Sequence, residues 1–314
     1  MKLLVTQSMP ETVEAELSAH FDTTFRAGGA MRLDEARQAM KDYDAILLTL
    51  GDQFSTEAFE GNLRCKALVN FGVGFNHIDV AAAKAAGMQV SNTPGAVTDA
   101  TADIAMMLIL MTARRASEGE ALLRSGDWTG WAPTQLLGLH VTGKTLGVIG
   151  MGRIGKAIAK RCHFGFDMNV VCYNRSEVQE FDVPCHQLDS IEEVMEHADI
   201  VVLALPATPA THHIIGAAQL SAMQKHAVLV NIARGDIIDE SALIDALQNG
   251  VIAGAGLDVY EHEPHVPQAL IDLPNCSLLP HLGTAALEVR RSMGAMVIEN
   301  LHAFVAQKSL PNAL

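Results

Sequence analysis

Positive charge, cysteine and long apolar runs are all scarce in this chain, and each shortage excludes a class of function. Among 314 residues there are 22 Lys and Arg against 36 Asp and Glu, a net charge of −14 with His neutral. Without a basic run, neither a nucleic-acid backbone nor an anionic membrane is expected as a partner. Small anions are still possible ligands, because a local cluster of donors can bind them inside an acidic protein. The five cysteines, Cys65, Cys162, Cys172, Cys185 and Cys276, are odd in number, scattered, and include no Cys-x-x-Cys. That pattern indicates neither a disulfide framework nor a zinc site, so no metal is expected, and reduced thiols in a cytoplasmic protein are the default. The longest apolar run, Ile104 to Met111, is well short of the roughly 20 residues a membrane helix needs. The opening Met1-Lys2-Leu3-Leu4-Val5 breaks into Thr6-Gln7-Ser8 too early for the apolar core of a signal peptide. A soluble protein is expected.

Apolar residues make up 49% of the chain, which fills real cores and excludes a disordered chain, while the length allows about two domains. Short β-rich runs alternate with helical patterns from the start: Leu3 to Val5, Glu11 to Phe21, Ala45 to Leu48, Ala67 to Val69. A second series runs through Thr145 to Ile149, Val170 to Cys172, Ile200 to Leu203 and Val228 to Val230. Strands with little internal polar alternation, separated by helices, predict parallel sheets covered on both faces. The fold class is therefore α/β, with two Rossmann-like, doubly wound parallel-sheet domains. After the turn signal Asn92-Thr93-Pro94-Gly95, Thr98 or Asp99 is expected to cap an apolar helix from Ala100 to about Arg115 that crosses between the units. The helical stretch Leu287 to Phe304 has no strand of its own to cover and is expected to return to the first unit. The expected division is 1–95 with 288–314, a discontinuous first domain, and 96–287, the second.

The strand Thr145 to Ile149 runs directly into Gly150-Met151-Gly152-Arg153-Ile154-Gly155, and a helical pattern follows. A tight turn at Gly150, close approach to a pyrophosphate at Gly152 and helix–strand packing at Gly155 together predict a dinucleotide site, with the anion on the helix N-terminus. About 20 residues beyond the glycines, where a carboxylate would accept from the adenosine ribose, the sequence has Asn174, followed by Arg175 and Ser176. Arg175 suits a 2′-phosphate and Ser176 offers a second donor, so NADPH is the expected cofactor, with NADH the alternative.

Three further motifs each follow a strand pattern: Asn231-Ile232-Ala233-Arg234-Gly235, Gly256 to Pro264, and Leu279-Pro280-His281-Leu282-Gly283. Carboxyl ends of parallel strands form the ligand crevice, so these loops can converge beside a nicotinamide. Arg, Glu and His are the residue types that hydride transfer to a keto acid requires.

Together with Asn92 to Asp103, these motifs closely resemble the D-isomer-specific 2-hydroxyacid dehydrogenases, particularly the glyoxylate/hydroxypyruvate reductases, most densely from Val69 to Gly283. The resemblance implies that Arg234 clamps the substrate's carboxylate and carbonyl, that Glu263 orients and charges an imidazole, and that His281 is the general acid. Glu261 is the nearby rival to Glu263. By the same resemblance Pro206 and Thr211 flank the adenosine, Ile232 and Ala233 line the nicotinamide, Asp258 accepts from its carboxamide, and Gly283 lies in the cofactor contact. Leu50, Gly51, Val73 and Gly74 would hold the substrate from the other domain, so the resemblance implies a flavodoxin-like substrate domain (1–95 with 288–314) and a dinucleotide-binding domain (96–287) with a cleft between them. Trp128 and Trp131 lie in a stretch that packs across a dimer in relatives, so a homodimer is expected, with burial in the chain itself left open. The implied reaction is reduction of a small 2-keto acid, glyoxylate or hydroxypyruvate, to the D-2-hydroxy acid. Alternatives are a D-lactate or 3-phosphoglycerate type, the latter disfavoured by a chain that stops at Leu314, and a dinucleotide-sensing corepressor on the same fold. Formate-dehydrogenase relatives carry Gln where this sequence has Glu263.

Overall fold

The computed structural model describes all 314 residues. They divide into two compact units, Met1–Val97 with Thr284–Leu314, and Thr98–Gly283. The boundaries fall at 97/98 and 283/284, where 95/96 and 287/288 were expected. Thr98 already begins a helix of the second unit, and the Gly283 amide donates to Asp258 within that unit.

In the first unit β1 (Lys2–Val5), α1 (Glu11–His20), β2 (Asp22–Phe25), α2 (Leu33–Asp42), β3 (Ala45–Leu48), β4 (Ala67–Asn70), α3 (Val80–Ala85) and β5 (Gln89–Ser91) form a five-stranded parallel sheet. Its order, β2-β1-β3-β4-β5, is the flavodoxin-like one. Strands β3 and β4 are buried at every position, as central parallel strands with helices on both faces must be. One core cluster gathers Ile46, Leu48, Leu68 and Val90 of the sheet with Ala36, Ala39 and Met40 of α2.

The second unit runs α4 (Thr98–Ala113), α5 (Ala116–Ser125), β6 (Thr145–Ile149), α6 (Arg153–Phe166), β7 (Asn169–Tyr173), β8 (Cys185–Gln187), α7 (Ile191–His197), β9 (Ile200–Leu203), α8 (Ala217–Ala222), β10 (Val228–Asn231), α9 (Glu240–Gln248), β11 (Gly254–Leu257), α10 (Gln268–Ile271) and β12 (Cys276–Leu278). The sheet is parallel throughout, in the order β12-β11-β10-β9-β6-β7-β8. Direction of winding reverses between β6 and β9, so the ligand crevice of a doubly wound sheet opens beyond the carboxyl end of β6. Two core clusters line its faces, one around Val201, Leu229 and Leu243, the other around Leu108, Val148 and Val230.

Helix α4 starts at Thr98, two residues before the expected Ala100, and packs on α6, β10 and β11 of its own unit. Neither Thr98 nor Asp99 therefore precedes it as a cap. Asp99 lies in the first turn, where an acid complements the helix dipole, and its carboxylate accepts from Arg161 at 3.0 Å. Trp128 and Trp131 are exposed, at 49% and 81%, which removes burial within the chain as their role. The final helix α11 (Leu287–Val305) returns to the first unit, where Gly294 meets Val13 of α1. No helix is long and apolar enough to cross a membrane.

Candidate active site

Because the second sheet is wholly parallel, the loops after β6, β7, β9, β10, β11 and β12 all leave from one edge. The glycine loop follows β6. Gly150 has φ +98°, a left-handed conformation that side chains rarely adopt, and a Cβ there would stand 2.7 Å from the backbone of Ala204 and Leu205. A Cβ on Gly155 would collide with the Gly150 carbonyl, whereas one on Gly152 would meet nothing within 4 Å. The loop is thus packed tightly on its protein side and open in front of Gly152, at the N-terminus of the 14-residue α6. Open backbone amides at a helix N-terminus fit a pyrophosphate. Met151 is buried, while Arg153 is exposed and Ile154 is partly so.

Asn174, at the carboxyl end of β7, accepts from the Met151 amide at 3.1 Å and donates to Ser176. It ties the glycine loop to the next one, and Gln187 of β8 holds that loop in turn by donating to the carbonyls of Asn174 and Ser176. Arg175 and Ser176 are exposed. After β9, the Thr211 hydroxyl donates to the Pro206 carbonyl at 2.8 Å and accepts from the Thr208 amide, so Thr211 staples the Pro206 turn.

After β10, Asn231 accepts from the Ala233 amide and donates to the Arg234 carbonyl, folding a turn that presents Arg234. Ile232 and Ala233 are buried beside it. Gly235 lies so close to Tyr260 and Glu261 that a Cβ would overlap their backbone. This approach brings the Arg234 turn against the loop after β11. Burial pulls the Arg234 guanidinium below its ordinary pKa, and the charges of Glu263 and Asp236 oppose that shift.

Glu263 accepts from the Tyr260 amide at 3.0 Å through Oε1, and its Oε2 lies 2.8 Å from His281 Nδ1. Burial raises its pKa, but the bond and charge of His281, the Tyr260 amide and Arg234 outweigh burial and leave it below the ordinary value. A carboxylate so held is an acceptor, so Nδ1 of His281 carries the proton of that bond. Glu261 is turned elsewhere: it pairs with His213 at 2.9 Å, and its amide donates to Glu240.

His281 has φ +55°, a conformation that costs a non-glycine residue about 1–2 kcal/mol. Asp258, almost fully buried, holds the turn in place: its carbonyl accepts from the His281 amide, Oδ1 from Leu282 at 2.6 Å and Oδ2 from Gly283 at 2.8 Å. Burial pushes the Asp258 carboxyl above its ordinary value. Arg234, Glu263 and His281, distant in sequence, are therefore brought into one cluster within the second unit. The roles of Gly235 as a close-approach point and of Asp258 as an anchor are additions from the structure. No local sequence signal separates either from an ordinary loop residue, since each is defined by contacts with another loop.

Leu50, Gly51, Val73 and Gly74 stand in the first unit, at the carboxyl ends of β3 and β4. Gly51 has φ +92°. Asn70, buried, donates to the carbonyls of Gly72 and Gly74 at 3.0 Å each, and Asn92 donates to Val73 at 2.8 Å. Those two amides shape the loop, a role the sequence did not indicate.

Residues 106–283 match the family model described as "D-isomer specific 2-hydroxyacid dehydrogenase, NAD binding domain". The chain belongs to the D-isomer specific 2-hydroxyacid dehydrogenase family. It is 39% identical over 309 residues to a glyoxylate reductase of Pyrococcus horikoshii, covering 96% of this chain and 92% of that protein. A glycerate dehydrogenase of Hyphomicrobium methylovorum is 35% identical over 320 residues, covering 100% and 98%. Among solved structures, an NADPH-dependent glyoxylate/hydroxypyruvate reductase of Sinorhizobium meliloti, in complex with NADP and malonate, superposes with a TM-score of 0.88 at 33% identity, over 100% of this chain and 96% of that one. This family member is an oxidoreductase, and its Rossmann unit is a nicotinamide-dinucleotide-binding domain.

Proposed function

We propose that this dehydrogenase reduces glyoxylate or hydroxypyruvate to the D-2-hydroxy acid and prefers NADPH. The observation that carries the reading is the 2.8 Å pairing of His281 with Glu263 in a cluster that includes Arg234, at the sheet edge that also carries the glycine loop. When bound, the dinucleotide supplies the hydride that adds to the keto carbon. Arg234, planar and fixed in charge, binds the substrate's carboxylate and polarises its carbonyl. His281 keeps Nδ1 on Glu263 and donates a proton from Nε2 to the carbonyl oxygen, which avoids a free alkoxide. Glu263 sets the orientation of the imidazole through the bond to Nδ1. Gly150 to Gly155 hold the pyrophosphate. Pro206 and Thr211 flank the adenosine, Ile232 and Ala233 line the nicotinamide, and Asp258 and Gly283 lie against its carboxamide. Leu50, Gly51, Val73 and Gly74 belong to the substrate-carboxylate side of this reading.

NADPH preference is supported by the absence of a carboxylate at position 174 and by the exposure of Arg175 and Ser176 beside it. The exposed Trp128, Trp131 and Leu137 support a homodimer, which sizing in solution tests. The deciding experiment is a panel of glyoxylate, hydroxypyruvate, pyruvate and larger 2-keto acids, each with both cofactors. Glyoxylate and hydroxypyruvate with NADPH should give the highest kcat/KM, and a leading rate with pyruvate or with NADH overturns the corresponding part of the proposal. In the same assay His281→Ala should lower kcat by roughly 10²–10⁴-fold, while Arg234→Ala should also raise the KM for the keto acid.

A further inference from the structure

Two of the five cysteines are neighbours in space. The Cys172 thiol, fully buried on β7, lies 3.1 Å from the thiol of Cys185 on β8. The strands are parallel, with Val170 opposite Cys185 and Cys172 opposite Gln187. Strand β8 is the sheet edge, three residues long and held on one side only. Cys185 is partly exposed and lines a solvent-open cavity of about 680 Å³ with Val178, Phe181, Pro184 and Gln187. The other three cysteines are buried.

Gln187 stands two residues beyond Cys185, on the same face of the strand. Its side chain holds the neighbouring loop at three points, donating to the carbonyls of Asn174 at 3.0 Å and Ser176 at 3.2 Å and accepting from the Val178 amide at 2.8 Å. Asn174 in turn accepts from Met151 in the glycine loop. A short, continuous set of bonds therefore joins the thiol pair to the loop that the proposed function assigns to the adenosine end of the cofactor.

We propose that Cys172 and Cys185 form a reversible disulfide that weakens dinucleotide binding by displacing the Gln187 clamp. The oxidant is an uncharged low-molecular-weight disulfide; Glu177 and Glu180 on the cavity rim, where Asp182 is paired with Lys160 at 3.0 Å, disfavour an anionic one. Cys185, the sulfur the cavity reaches, attacks the reagent and releases one small thiol, leaving a mixed disulfide. Cys172 then attacks the Cys185 sulfur and releases the second small thiol. Two protein thiols are oxidised, the reagent is reduced to two thiols, and the two protein protons end on those products. Across the 3.1 Å contact Cys185 donates to Cys172, which lowers the Cys172 thiol and raises that of Cys185, so the anion of the pair starts on Cys172 and Cys185 becomes the nucleophile by passing its proton to Cys172. Closure draws the sulfurs about 1 Å closer, and because β8 is an unsupported edge, the movement falls on β8 and Gln187. The effect on affinity, though not the disulfide itself, rests on the proposed role of the 174–176 loop.

The test treats the full-length protein with 2-hydroxyethyl disulfide, maps crosslinks by non-reducing peptide mass spectrometry, and titrates NADPH and NADH by fluorescence. A Cys172–Cys185 crosslink should form, and the Kd for dinucleotide should rise roughly three- to tenfold, the scale of losing one or two hydrogen bonds. A thiol reductant should reverse the change. Cys185→Ala should keep the basal affinity and no longer respond. An arrested mixed disulfide, no reaction, or a crosslink with unchanged Kd each overturns the proposal. Arg175→Ala separates the two readings: if it alters NADPH affinity while the crosslink does not, the thiol switch fails alone. If it changes affinity for neither dinucleotide, the loop assignment fails, and peptide mapping still judges the thiol pair.

Discussion

Replacing Asp258 by Asn isolates the anchor beneath the acid–base pair. The carboxylate accepts from two buried backbone amides, Leu282 at 2.6 Å and Gly283 at 2.8 Å. Each such bond to a charged group contributes about 1.5–3 kcal/mol. An asparagine keeps one acceptor and turns its NH2 toward the other amide, so one bond becomes neutral and one donor loses its partner. Relief of a buried charge, already seen in the raised carboxyl pKa, offsets part of the loss. The net cost should be about 2–3 kcal/mol. Part of it falls on His281, whose left-handed backbone is held by this turn and relaxes when the turn loosens. Misplacement of the imidazole should lower kcat about 10- to 100-fold, since each 1.4 kcal/mol is a factor of ten. Urea denaturation measures the first effect, steady-state kinetics the second. Stability within about 0.5 kcal/mol of the parent, together with unchanged kcat, would refute the anchor. A rise in dinucleotide Kd that matches the whole loss in kcat would instead make Asp258 chiefly a carboxamide ligand.

Gly235→Ala should cost about 3 kcal/mol or more, because the new methyl overlaps the backbone of Tyr260 and Glu261. Calorimetry should show Tm lower by roughly 6–12 °C, with activity lost even below that temperature; a Tm matching the parent would contradict the close approach. Arg175→Ala should reduce kcat/KM for NADPH by roughly 10- to 100-fold through lost charge-assisted bonds and leave NADH nearly unaffected; equal loss with both cofactors counts against a 2′-phosphate contact. Glu263 has a folded-state pKa below its ordinary 4.5, so its contribution to stability is full above that value and disappears as pH falls through the lowered one. Glu263→Gln should therefore reduce Tm at neutral pH and flatten its acid-side fall; parallel Tm–pH curves for the two proteins would disprove the linkage.

The strand–glycine loop–helix unit was legible because all of its determinants are local: the strand, three glycines and a helix lie within about 20 residues. The central strands were equally plain, since burial on both faces leaves a continuous apolar run, as in Ala45–Leu48 and Ile200–Leu203. Two of the edge strands were not. Asp22–Phe25 and Cys185–Gln187 are short and half-exposed, and their pairing partners, not their composition, make them strands. The start of α4 was misplaced because Thr98 and Asp99 suit a cap and a first turn alike, and the Arg161 bond that settles Asp99 comes from another helix. Choosing between Glu261 and Glu263 needed a family spacing. Their separate partners, His213 and His281, lie far away in sequence. The Asp258 anchor and the Gly235 approach are likewise products of loops meeting across the sheet edge, which periodicity cannot reveal.

The second unit is inserted within the first, whose final pieces are α11 and the segment that carries Leu314 to Val90, where its amide donates to the strand β5 carbonyl. During synthesis the inserted unit has its whole sequence outside the ribosome while the N-terminal sheet still lacks the helix that covers α1. Val297, Ile298 and Leu301, all buried in the folded unit, reach their places only after the inserted unit has emerged. Translation order thus makes the N-terminal unit begin before the inserted one and mature after it, leaving its apolar surface in need of protection for the time taken to elongate through the inserted unit.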